Sequence, residues 1–336
     1  MASITSPIPL VPGVDGHQTR PRFSVMLPTY EPGEQLRRTL QSVLSQAPDR
    51  EEMQIAVVDD GSRHADVVGL VRSIDPHGRI DIHVDGGHLG IAGNWNRAIG
   101  LAHGHLVHLL HQDDQVLPGF YDRMAQAFLQ APLLGMAFCR SSIIDTAGRL
   151  IKINSRQRLW PGVLSDWLPK IATRQRIQTP AVVVARTTYE ILGGYRTDLC
   201  QTLDWEMWVR IAARLPVWYD PRTLAVFRRH AASESARLLT AGGVWPDLAH
   251  AIRINAESLP ANQRFALTNR SAHWYAKSAL REVGKRVEQR DLSAARATLA
   301  HARELLVLMG NSRQRSGVEQ RAAALERRLA LLAPAA

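Results

Sequence analysis

Between Arg22 and about Leu150, short apolar runs alternate with segments of helical periodicity. Phe23–Leu27, Gln54–Val58, Ile80–Val84 and Leu106–Leu110 read as strands. Pro28 is expected to stop the first. Glu34–Ser45 reads as a helix with Leu36, Leu40, Val43 and Leu44 on one face. Helices are also expected near His64–Ile74, Gly90–Ala102 and Pro118–Gln130. Such alternation builds a mainly parallel α/β sheet with helices on both faces. Ligands of these sheets bind beyond the carboxyl ends of the strands. Three strand ends carry polar signals: Thr29-Tyr30, Asp59-Asp60 and Asp113-Asp114. They are expected to converge on one edge.

Asp113 and Asp114 are adjacent carboxylates where a core strand surfaces. Like charges that close raise each other's pKa unless a cation or donors intervene. Magnesium and manganese take oxygen ligands and hold phosphates through only one or two carboxylates. The pair therefore suggests a metal-diphosphate site. Taken alone it would read as a solvated turn, and the convergence of strand ends lifts it above that.

The chain has 336 residues, enough for one large domain with an appendage or for two domains. A hydrophobic fraction of 45% supplies ample core. Cys139 and Cys200 supply neither a disulfide framework nor a zinc cluster, and they fit a reducing compartment. The first 20 residues, rich in Pro, Gly and Ser, lack the apolar run of a secretion signal and read as a flexible tail. No apolar run approaches the roughly 20 residues of a membrane span. The net charge of +10 admits nucleic acid, an anionic membrane or a phosphorylated ligand as partner.

The second half is less regular. Pro180–Ala185 reads as a short buried strand, Asp204–Arg214 as a helix, and Leu224–Phe227 as a strand ending at Arg228-Arg229-His230. From about Gly242 the pattern is helical. Leu292, Ala295, Leu299, Ala302, Leu305 and Leu306 form one stripe, and Ala322, Leu325, Leu329 and Leu332 another. They are expected to pair antiparallel across Gly310-Asn311-Ser312. The domains are expected at residues 21–240 and 241–336.

Phe23–Gln46, Val57-Val58-Asp59-Asp60-Gly61-Ser62, Gly90–Ala98, Asp113-Asp114, Thr202–Trp208 and Arg228-Arg229-His230 occur in an order and spacing that resemble family-2 inverting glycosyltransferases of the GT-A fold. The likeness covers roughly residues 22–235. It implies a GT-A mixed sheet flanked by helices, with a C-terminal helical appendage. It also implies transfer of a sugar from a nucleoside-diphosphate sugar, with a UDP-sugar favoured, to a hydroxyl of a glycan or lipid-linked acceptor. A divalent metal, Mn or Mg, is the implied cofactor.

The resemblance also implies roles. Asp204 is the expected catalytic base, with Glu206 as fallback. Pro28, Tyr30, Asp60, Asn96, Asp113 and Trp205 are the expected substrate-binding residues. Tyr30 would lie against the nucleobase and Asp60 would accept a base N–H. Asn96 would hold the nucleotide-binding loops together. Asp114, Asp113 and His230 are the expected metal ligands, with Asp113 alternatively on the ribose. Arg228 and Arg229 would pair with the diphosphate or sit on the surface. Relatives often carry acids where this chain has Gln112 and Leu203.

Residue by residue, simpler readings stand beside these. Asp59-Asp60-Gly61 suits a plain turn, Asp204 suits a helix N-cap, and Asn96 suits local bonding within a helix. The glycines at 87, 90 and 93 lack the spacing of a dinucleotide-binding fingerprint. Trp160, Trp167, Trp205, Trp208 and Trp218 cluster in the second half, and tryptophan faces stack on sugar rings. Trp205, beside Asp204, is the best acceptor contact among them. The Gln-x-x-Arg-Trp motif of processive synthases is absent. The basic helices after Gly242 read as a solvated face, with peripheral contact to an anionic membrane as the sharper alternative. No nucleic-acid module accompanies the charge. The expected location is the cytoplasm or the inner face of the membrane. Competing readings are a non-catalytic sugar-nucleotide or glycan-binding scaffold of the same fold, and a sugar nucleotidyltransferase, whose Gly-rich N-terminal signature is missing.

Overall fold

The computed structural model describes residues 6–14, 19–84, 87–230, 244–310 and 313–332. The chain forms two compact units. The first comprises Met1–Ser165, Ile177–Asp198 and Arg214–His230. The second comprises Asp166–Arg176, Leu199–Ala213 and Ala231–Ala336.

The first unit is built on a ten-stranded mixed sheet. In chain order its strands are β1 (Phe23–Thr29), β2 (Met53–Asp59), β3 (Asp81–Val84), β4 (Leu106–Leu109), β5 (Gln115–Val116), β6 (Met136–Ile144), β7 (Leu150–Ile153), β8 (Gly162–Val163), β9 (Val182–Ala185) and β10 (Val217–Arg228). They lie in the order β3-β2-β1-β4-β9-β6-β10-β5, with β7 on β6 and β8 on β10. The first four are parallel, β9 is antiparallel to β4 and β6, and β6 is parallel to β10. The unit's helices are α1 (Gln35–Leu44), α2 (Val67–Ile74), α3 (Gly90–Leu101), α4 (Phe120–Gln130) and α6 (Arg186–Leu192), with α5 (Trp167–Thr173) falling in the second unit.

β1 and β2 are buried at all seven positions, the pattern of strands covered on both faces. On one face Val25, Leu27, Ile55 and Val57 pack with Leu36, Leu40 and Val43 of α1. Each such side chain contributes about 1.5–3 kcal/mol on burial. Pro28 does not end β1, which runs one residue further to pair Thr29 with Asp59. Even-numbered positions of β1 face β4, as the bond from Leu110 N–H to Met26 O shows. The β1–β4 pairing stops at Met26 and Leu109, so the N–H that Pro28 lacks is not needed.

Three further boundaries differ from expectation. α4 starts at Phe120 after Gly119, whose φ of 84° breaks the run from Pro118. Thr179–Ala181 is a 3₁₀ turn leading into β9. β10 has twelve residues, because Val217–Asp220 also pair with β6. The expected tail is tied down over Ser6–Val14. Pro9 O accepts Gly194 N–H, Pro7 O accepts Thr197 N–H, and Pro12 O accepts the Arg186 guanidinium. Proline loses its donor but keeps this acceptor, and Val11 is buried as well.

The second unit adds α7 (Leu203–Ala212), α8 (Val244–Ser258), α9 (Ala261–Glu288), α10 (Leu292–Val307) and α11 (Arg313–Leu331) to α5. The expected boundary at residue 240 therefore gives way to interleaved segments. The cause is apolar: Trp167 and Ile171 of α5 and Trp205 and Trp208 of α7 are buried, and α5 and α7 pack on α9 and α8. Ala295, Leu299, Ala302, Leu305 and Leu306 are the buried stripe of α10, which packs on α11 through Ala322 and Leu329. Asn311 and Ser312, the expected linker, lie outside the described residues, as does the start of the helical region at Gly242. No helix among the described residues is long and apolar enough to cross a membrane.

Candidate active site

The pairing of β2 and β4 on either side of β1 brings the three polar strand ends together. Asp60 N–H donates to Thr29 O at 2.8 Å. The Gln112 side chain clamps Tyr30 from the β4 side, accepting from Tyr30 N–H at 2.9 Å and donating to Tyr30 O at 3.0 Å. Gln112 thus fixes the backbone of the expected base-stacking residue. Tyr30 is 43% exposed, and its ring lies 4.4 Å from that of His88. Asp60 is 3% exposed and accepts from the N–H groups of Leu89 and Gly90 at 2.8 and 3.0 Å, with His88 Nδ1 at 2.9 Å. Its carboxylate fastens the start of α3. About four lone-pair sites leave room for one further donor.

Asp114 is fully buried. Its Oδ1 accepts from Arg228 N–H at 2.9 Å. Its Oδ2 has no hydrogen-bond partner among the described residues, with His111 Nδ1 3.6 Å away. Burial first and the neighbouring Asp113 second push its pKa up to about 6. Asp113 Oδ2 takes a 2.6 Å bond from His230 Nε2, and this bond raises the His230 pKa. Two carboxylates and an imidazole thus meet at the end of β4. Among the described residues no group of three or more His, Cys, Asp or Glu is arranged to hold a metal on its own. A buried carboxylate oxygen without a donor nevertheless fits a divalent cation whose other ligands are phosphate and water oxygens. Asp114, and Asp113 beside it, would hold such an ion.

In the second unit, Asp204 is the second residue of α7, after the cap position Thr202. Its place in the first turn suits a carboxylate, because unpaired N–H groups gather there. Oδ1 accepts from Trp205 N–H at 2.6 Å, and Oδ2 from Gln175 Nε2 at 2.8 Å. Gln175 is held in turn, its N–H donating to the Tyr275 hydroxyl at 3.1 Å. The Asp247 carboxylate accepts from the backbone N–H groups of Cys200, Gln201 and Thr202. Sequence reasoning missed Gln175, Tyr275 and Asp247, none of which belongs to a local motif.

Several expected roles are corrected. Both polar atoms of Asn96 bond the backbone of Tyr195, at 2.7 and 2.8 Å, so its amide is not open to substrate. Asn94, buried one turn before Ala98, does the joining expected of Asn96: its Nδ2 reaches Val58 O and Thr29 O at the ends of β2 and β1. Trp205 is 1% exposed, and its indole N–H donates to Ile171 O, so it presents no face to a sugar. Pro28 is buried within β1. Glu206 is buried in a two-point ion pair with Arg210, which removes the fallback base. The Arg228 guanidinium bonds the carbonyls of Asp113, Asp145 and Thr146 rather than pointing to a diphosphate.

The sequence pattern of glycosyl transferase family 2 matches residues 24–180. The chain is 30% identical over 246 residues to the uncharacterized protein MT1568 of Mycobacterium tuberculosis, covering 68% of this chain and 76% of that one. It is similar in fold to S. aureus TarS 1-349 in complex with UDP-GlcNAc, with a TM-score of 0.64 at 13% identity over 93% of this chain and 90% of that one. It is also similar to the mannosyltransferase PcManGT from Pyrobaculum calidifontis in complex with GDP-Man and Mn2+, with a TM-score of 0.56 at 19% identity over 98% and 88%. The family pattern and the GT-A fold together place the chain in glycosyl transferase family 2 as a glycosyltransferase.

Proposed function

We propose that this glycosyltransferase moves a sugar from a nucleoside diphosphate, a UDP-sugar in the first instance, to a hydroxyl of a glycan or lipid-linked acceptor, with inversion. The observation that carries the reading is the buried Asp114 carboxylate with one oxygen lacking a donor, at the strand ends that also bear Tyr30 and Asp60. Solved complexes of similar fold hold UDP-GlcNAc, UDP, and GDP-Man with Mn2+, which supports a nucleotide-sugar donor.

Each residue has a defined task in this reading. Tyr30 stacks on the base. Asp60 fixes the loop before α3 and takes a base N–H. Asp114 and Asp113 would hold a divalent cation, which would supply positive charge to the departing diphosphate. Asp204 accepts the proton of the acceptor hydroxyl as its oxygen bonds the anomeric carbon and the sugar–phosphate bond breaks. One displacement without a carboxylate nucleophile inverts the centre. The non-catalytic scaffold reading rests on the departures at Gln112 and Leu203, and the nucleotidyltransferase reading lacks its Gly-rich N-terminal signature. The proposed location is the cytoplasm or the inner face of the membrane.

The test offers purified protein a panel of nucleotide sugars with Mn2+, Mg2+ or chelator, recording thermal stabilisation and nucleotide release. Metal-dependent stabilisation by one donor is expected. Release that disappears in Asp204→Asn while donor stabilisation stays is the expected signature of the base. If no donor stabilises the protein with any metal, the reading fails.

A further inference from the structure

Of Trp160, Trp167, Trp205, Trp208 and Trp218, four are buried and Trp160 is 73% exposed. It stands on a loop that is anchored at both ends. At the entry, Asn154 N–H bonds Ser141 O and Asn154 O accepts from the Arg140 guanidinium. At the exit, β8 pairs Gly162 with Tyr219 and Val163 with Trp218 of β10, while Arg158 reaches back to Val163 O at 2.9 Å. An anchored loop holds the indole out at a cost in exposed apolar surface, and Leu159 beside it is also exposed.

This loop borders a groove of about 530 Å³ over β6 and β10. Alternation along β6 puts Arg140 on the face opposite the core residues Ala137 and Cys139. Arg140, Arg156, Arg222, Trp160, Leu159 and Thr223 line the groove, and no carboxylate does. Asp220, the acid nearest in sequence to Arg222, is buried and paired with Arg123. Arg156 and Arg222, with the part of Arg140 not held by Asn154 O, therefore give the groove a positive lining. A guanidinium binds phosphate or carboxylate oxygens in pairs. A flat indole covers the apolar face of a sugar ring while leaving its hydroxyls in water.

The geometry points to a subsite for a saccharide chain carrying negative charge, which on the transferase reading above is the acceptor. Thr223 precedes Arg228, whose N–H bonds Asp114, by five residues of β10. At roughly 3.3 Å per residue this puts the groove about 15 Å along the strand from Asp114. It holds units of the chain remote from the reacting hydroxyl. The groove is open, with room for a saccharide chain laid along it. Single-stranded nucleic acid binds through successive stacking aromatics along a basic track, and here one indole stands alone.

The experiment measures binding of the full chain by calorimetry, at low and high salt. The probes are an oligogalacturonate, a phosphorylated glucan oligomer, a neutral glucan oligomer, inorganic phosphate and a single-stranded oligonucleotide. One or both charged oligomers are expected to bind, more weakly at high salt. Binding is expected to fall about tenfold or more in Trp160→Ala and in the double variant Arg156→Ala/Arg222→Ala. Binding of the uronate alone identifies a carboxylate-bearing acceptor, and of the phosphorylated glucan alone a phosphate-bearing one. UDP-sugar stabilisation is expected to be unchanged in both variants, which shows that the fold and donor site are intact. The proposal is overturned if neither charged oligomer binds, if the neutral glucan binds as well, or if Trp160→Ala binds like the parent. Tighter binding of the oligonucleotide, or equal competition by inorganic phosphate, overturns it too. Loss of donor binding in the parent protein overturns the transferase reading alone, since this titration reads glycan binding without transfer.

Discussion

Asp247 on α8 accepts both the backbone N–H and the hydroxyl of Thr202, at 2.7 and 2.8 Å. Thr202 caps α7, whose second residue is Asp204. A carboxylate taking the backbone donors of Cys200, Gln201 and the cap residue Thr202 fixes the chain's entry into α7 and places negative charge near its positive end. The C-terminal helices thereby contribute directly to the setting of the proposed base.

Asp247→Asn keeps the shape of that carboxylate but removes its charge and turns one acceptor into a donor. Hydrogen bonds to charged groups contribute about 1.5–3 kcal/mol. The variant is expected to lose about 1–3 kcal/mol of stability and roughly tenfold in kcat, with the donor KM unchanged. Urea unfolding and steady-state kinetics check this. A purely structural role would lower stability while leaving kcat of the folded fraction intact.

Asp114→Asn separates function from stability. The parent buries a carboxylate beside Asp113, with one oxygen lacking a donor. An amide there retains an acceptor for Arg228 N–H and sheds a charge whose desolvation is unfavourable. In chelator, the variant is expected to melt no lower than the parent. Its Mn2+-dependent stabilisation by a nucleotide sugar is expected to fall to the metal-free level. Paired thermal scans with and without metal read both effects, and a lower melting temperature in chelator would contradict the argument.

Gln112→Ala releases Tyr30 from both of its side-chain bonds. Neutral hydrogen bonds contribute about 0.5–1.5 kcal/mol each. Donor affinity is expected to weaken about 3–30-fold, with little change in kcat. Gln112→Glu keeps the acceptor for Tyr30 N–H and loses the donor, so its effect should fall between. Titration of UDP into the three proteins measures the order.

What could be read from sequence follows from how local each signal is. The strands of the first half and their polar ends were legible because each apolar run is short and bounded by turn residues. Their convergence followed from topology alone. Asn94 and Asn96 show where the reading needed more. Both look alike in composition, yet Asn94 shares the buried face of α3 with Ala98 at four-residue spacing, a periodicity that was available and points to Asn94. Trp205 and Trp160 were not separable this way, since burial depends on partners such as Ile171 and Tyr275 that lie far off in the chain. For the same reason α5 and α7 could not be assigned to the helical unit, as their packing partners follow them by dozens of residues.

His108 in β4 supplies a pH dependence set chiefly by its burial. It is fully buried, with Nδ1 3.2 Å from the Tyr121 hydroxyl and Nε2 3.1 Å from Pro180 O. The carbonyl can only accept, so Nε2 carries the proton and Nδ1 accepts from Tyr121. Burial lowers the pKa from 6.5 to about 3. The unfolded chain therefore binds a proton below pH 6.5 that the folded protein refuses. The contribution to stability is fully present above that pH and is lost as pH falls toward 3, at up to about 1.4 kcal/mol per pH unit. His108→Gln cannot titrate and offers both a donor and an acceptor. Urea midpoints of parent and variant are expected to draw together as pH falls from neutral to 5, because only the parent carries this loss. A constant difference between the two across that range would show that His108 titrates alike in the folded and unfolded states.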